Sequence, residues 1–156
     1  MAANPGSVRA ESLRFLESVG TAAGTYSASV EIPVGAVLVD VIVTNNVAWT
    51  AGTSATLIVG DANDPDGYFA AVDAKMTALQ GLSLAFPLNK QGAYVTPNIA
   101  TSVGIVRRQM QAAGTSSPYG RVMSASVITV GTLCTAGDTT VTFVYAYPSP
   151  KVATFA

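Results

Sequence analysis

Apolar and polar side chains alternate with a period of two over several stretches of this chain, and that pattern restricts it to strands with one buried face. Across residues 25–32, Tyr26, Ala28, Val30 and Ile32 fall on one side, with Ser27, Ser29 and Glu31 on the other. The turn residues Pro33 and Gly35 follow. Residues 36–44 then place Val37, Val39, Val41 and Val43 opposite Leu38, Asp40 and Ile42, so both faces are largely apolar and the strand is expected to be central. Asp40 on such a strand requires a partner, because an unpaired buried carboxylate is costly. Residues 54–60 oppose Ala55, Leu57 and Val59 to Thr56 and Ile58. Near the C-terminus, residues 121–130 and 139–147 flank a turn region at 131–138 and are expected to pair as a hairpin, with Val141, Phe143, Tyr145 and Tyr147 on one face. Short strands are expected at 82–88 and 93–97. No alternation of strands with long helical patterns occurs, which points to an all-β sandwich or barrel.

Only 11% of the 156 residues are charged, less than half of the ~25% usual in soluble domains, and mean hydropathy is +0.41. So few ions cannot coat the outside. The remaining surface must be dressed with Ser, Thr, Asn, Gln and Gly or covered by partners, since obligate interfaces resemble domain interiors. Acids predominate in residues 1–78, whereas the remainder holds Lys90, Arg107, Arg108, Arg121 and Lys151 against Asp138 alone. With a net charge of −1, no basic field for nucleic acid exists. Nor is any apolar run long enough for a membrane span, and the stretch MAANPGSVRAESLRFLES has no signal-peptide layout. The expectation is a soluble single domain over residues 11–148, with an N-terminal arm at 1–10 and a C-terminal tail at 149–156.

Catalytic chemistry finds little to use. The chain has no histidine, so a Ser-His-Asp or Cys-His arrangement cannot be built. Its one cysteine, Cys134, rules out an internal disulfide and has no basic sequence neighbour to activate it, so it reads as a packing residue. Trp49, the one tryptophan, is expected in the core beside Val47.

Asp61-Ala62-Asn63-Asp64-Pro65-Asp66-Gly67 is the sharpest local feature, because its oxygens are the raw material of a calcium site. The spacing departs from an EF-hand loop: glycine falls late, proline takes the fifth position, and Val72 stands where a bidentate carboxylate is needed. An Asx-turn and helix-cap role is preferred, leading into one or two short helical turns over residues 68–72. Asp61, Asn63, Asp64 and Asp66 are the metal-ligand candidates should a cation bind, but no cofactor is implied. Arg107 and Arg108 follow an apolar run, and adjacent strand residues point to opposite faces, so one of them can meet a partner. Arg9 and Arg14 near the N-terminal arm are further candidates for partner contact.

The stretch from Val30 to Val43, then Trp49-Thr50-Ala51-Gly52-Thr53-Ser54-Ala55-Thr56-Leu57 and Val59-Gly60-Asp61-Ala62-Asn63-Asp64-Pro65-Asp66-Gly67-Tyr68, resembles the capsid decoration, or cement, proteins of tailed bacteriophages. The final Thr139-Thr140-Val141-Thr142-Phe143-Val144-Tyr145-Ala146-Tyr147 resembles their last strand. The resemblance implies a jelly-roll-like antiparallel β-sandwich. It also implies a homotrimer on the outer capsid surface of the virion that clamps neighbouring major capsid protein subunits. The expected partners are therefore other copies and the major capsid protein, with no enzyme activity. Two rivals remain: a tail or fibre module binding host carbohydrate through Tyr68, Phe69, Tyr94 and Tyr119, and a hydrolase using carboxylates of the acidic loop.

Overall fold

In a computed structural model, residues 6–62, 64–75, 82–85 and 122–147 are described, the last short stretch before residue 122 by its backbone alone. They form eight strands: β1 (Val8–Glu17), β2 (Thr25–Glu31), β3 (Val37–Val47), β4 (Ser54–Asp61), β5 (Phe69–Asp73), β6 (Leu82–Ala85), β7 (Val122–Val130) and β8 (Gly137–Ala146). The strands make two four-stranded sheets, in the orders β1-β8-β3-β6 and β2-β7-β4-β5, with every pairing antiparallel. Of consecutive strands only β4 and β5 are neighbours in one sheet. The chain otherwise passes from sheet to sheet at each step, as in a jelly roll.

Alternation explains which side chains fill the space between the sheets. The first sheet contributes Phe15, Leu38, Val41, Val43, Val141 and Phe143, and the second contributes Leu57, Val59, Phe69, Met123, Ala125 and Val127, all buried. Thr25, Ser27, Ser29, Ser124 and Ser126 occupy outward positions of β2 and β7, beside Glu31, Val122, Ile128 and Val130, and the Ser27 and Ser126 hydroxyls lie 2.8 Å apart. The hydroxyls are the neutral dressing expected of a chain with few charges. β3 is interior to its sheet, between β8 and β6, as its two apolar faces required.

Several sequence expectations are corrected. Residues 121–130 and 139–147 do form strands, but β7 and β8 belong to different sheets and make no hairpin; β7 lies between β2 and β4, and β8 between β1 and β3. The expected helical turn over residues 68–72 is instead a turn followed by β5, which pairs with β4. No helix occurs among the described residues. In β3 a register shift between Leu38 and Asp40 flips the alternation, so Leu38 rather than Val39 joins Val41 and Val43 in the core. Asp40 is half-buried on the same strand. Trp49 is buried as expected, whereas Val47 is exposed. The strand expected at 82–88 is present as β6; that expected at 93–97 lies outside the described residues.

Candidate interaction surface

Register places the loops. Glu17 stands opposite Gly137, Val47 opposite Asp138, and Val130 opposite Ser54, so the loops at residues 18–24, 48–53 and 131–136 gather at one end of the sandwich. At the other end lie the start of β1, the finish of β8, the turn with Val34 and Gly35, and the acidic loop after Asp61. The two ends carry different chemistry.

At the first end these three loops read SVGTAAG, AWTAGT and GTLCTA, with no charged residue in any of them, although Asp73 and Lys75 at the end of β5 and the Arg14–Asp138 pair flank them. Hydrogen bonds join them. Thr21 and Cys134 exchange backbone bonds of 2.9 and 3.0 Å, and the Thr50 N–H donates to the Ala136 carbonyl at 3.0 Å. The Thr50 hydroxyl oxygen accepts from the backbone N–H groups of Thr135 and Ala136 at 2.9 and 3.0 Å. Lys75 sends its ammonium to the carbonyls of Ala51 and Gly52 at 2.5 and 3.3 Å, so the cation nearest the 48–53 loop is spent on that loop's backbone. Cys134 is fully buried beneath, in keeping with a packing role.

Under the loops runs a chain of buried polar contacts. Trp49 Nε1–H donates to Thr139 Oγ1 at 2.9 Å, Thr139 donates to Asn45 Oδ1 at 2.8 Å, and Asn45 Nδ2 donates to the Ala74 carbonyl at 3.1 Å. Each polar atom in that chain thereby gains the partner that burial demands. The Tyr26 ring meets Trp49 edge-on at 5.0 Å, and its hydroxyl donates to Glu17 Oε2 at 2.8 Å. Glu17 Oε1 accepts the backbone N–H groups of Val19 and Gly20 at 2.8 and 2.9 Å. Hydrogen bonds from Thr21, Tyr26 and Val19 hold the Glu17 carboxyl down to about 2. A small cavity beside this chain, lined by Val43, Asn45, Leu57, Val72 and Thr139, has room for no more than about one water molecule.

What the loops show to solvent is mostly Ser, Thr, Ala and Gly, with two large apolar side chains among them: Val19 is 88% exposed and Leu133 54%, and Leu16 beside them on β1 is 55% exposed. The sequence reading did not single out these three residues. The signal available was the absence of charge from three separate loops, which becomes one surface only once the strands are paired.

Of the residues that were singled out, Arg14 lies at the edge of this end, through its bond to Asp138, and the other described ones lie elsewhere. Asp61 is buried, and its Oδ1 accepts the Asp64 N–H at 3.0 Å while its own N–H donates to the Asp64 carbonyl at 2.9 Å. A carboxylate oxygen of the loop thus satisfies a backbone N–H, as expected, but three residues on instead of the two of an Asx-turn, and no helix follows among the described residues for it to cap. Asp64 is half-buried and Asp66 exposed, and their mutual hydrogen bond, with burial, raises the Asp64 carboxyl above its ordinary range. Asn63 lies outside the described residues, and among those described no cluster with metal-ligand geometry occurs. Arg9 is exposed on β1 opposite Tyr145. Arg14 makes a two-pronged bond to Asp138 at 2.8 and 3.0 Å, which lowers the Asp138 carboxyl, although the Arg14 side chain stays 61% exposed. Arg107 and Arg108 lie outside the described residues. Of the four aromatics proposed for carbohydrate, Tyr68 and Phe69 are core residues, and Tyr94 and Tyr119 lie outside the described residues.

The complete arrangement of strands has a counterpart. A chain of the cyanophage Pam1 capsid asymmetric unit matches 95% of this chain and 93% of its own length, with a TM-score of 0.56 at 20% identity. The fold is that of a phage capsid chain. A chain of the capsid of Ralstonia phage GP4 is also similar, with 18% identity, 96% of this chain and 90% of that one covered, and a TM-score of 0.48. No family model matches the sequence. No curated protein matches it either.

Proposed function

We propose that this chain is a structural protein of a tailed-phage virion, binding the outer capsid surface as a homotrimer and stabilising contacts between major capsid protein subunits. The observation that carries the reading is the match along nearly the full length of both chains to a chain of a phage capsid. Composition supports it. A chain with 11% charged residues is suited to burying its faces against neighbours, and one that binds only the assembled lattice stabilises it by mass action without chemistry. Without histidine, and with its one cysteine buried, it works as a non-enzymatic component.

The carbohydrate-binding alternative loses support from the burial of Tyr68 and Phe69, since sugar stacking requires exposed rings. Light scattering of the purified protein at micromolar concentration, followed by sedimentation with undecorated capsids of its own phage, tests the proposal. A mass three times the 15.9 kDa chain and saturable binding are expected. A monomer would remove the trimer, and failure to sediment with capsids would remove the capsid role.

A further inference from the structure

We draw no further inference here: the strongest candidate, the outer edge of β2 at the rim of the β2-β7-β4-β5 sheet, a strand without charge before Glu31, carries nothing because nothing in the structure shows what pairs with it or covers it.

Discussion

The two ends of the sandwich solve the same problem, closing off strands and turning the chain, with opposite materials. One end uses neutral hydrogen bonds over a buried tryptophan and leaves apolar side chains outside. Glu17 at that end is buried and saturated by neighbouring N–H and hydroxyl donors. The other end closes its turn with the Asp61 carboxylate and crowds Asp64 against Asp66. The contrast shows that a chain poor in charge need not spread its ions evenly. At the loop end the ions are held in specific contacts, Glu17 by N–H and hydroxyl donors, Asp138 by Arg14, and Lys75 by the carbonyls of the 48–53 loop.

The largest effect is expected from Trp49→Ala, which removes both the ring under the loops and the head of the buried polar chain. A loss of about 3–5 kcal/mol is expected, measured by denaturant unfolding. Hydrogen exchange should show it first at the Thr21, Thr50 and Cys134 amides. A uniform rise in exchange, equal at the acidic end, would contradict the separation of the two ends. Thr139→Val keeps the shape but strands the Trp49 N–H and the Asn45 side-chain oxygen, at a cost of about 1–3 kcal/mol.

At the acidic end the corresponding probe is Gly60→Ala. A Cβ at residue 60 meets the Asp64 and Pro65 backbone, which cannot move aside as a flexible side chain would. Overpacking of about 1–3 kcal/mol is expected, with the change in exchange confined to residues around the acidic loop. Acid should affect the ends in opposite directions. The Glu17 carboxyl sits at about 2 against an ordinary 4.5, so its contribution is present above pH 4.5 and fades as pH falls toward 2. Asp64 is shifted upward, so its contribution is present in acid and lost as pH rises through its raised value. Protection of the Val19 and Gly20 amides, relative to their intrinsic exchange rates at each pH, should therefore fall below pH 4.5 while that of the acidic loop rises. The smallest effect is expected from Arg14→Ala, a slight loss of stability in denaturant unfolding, because the guanidinium is 61% exposed and screened by water.

Much of this architecture was legible because a strand with one buried face writes its period into the sequence. β2 and β4 follow their alternation residue by residue. β3 was legible only beyond its first register shift, at Val41 and Val43, since a bulge adds a residue without any compositional mark. Pairing was less legible than strands. Nearness in sequence suggested that β7 and β8 form a hairpin, yet the loop between them crosses from one sheet to the other. Asp64-Pro65-Asp66-Gly67 misled in another way, because residues that cap helices also make tight turns, and pairing with β4 decided the outcome in favour of β5. The acidic loop stood out because its signal is contiguous. The loop end did not, because its signal is divided among three segments that only the completed sheets bring together.

The proposed capsid role is tested most directly by an electron cryomicroscopy reconstruction of the virion at a resolution that resolves individual β-sandwiches on the shell. The account predicts this sandwich on the outer capsid surface in groups of three. A reconstruction whose outer capsid surface lacks it would contradict the account.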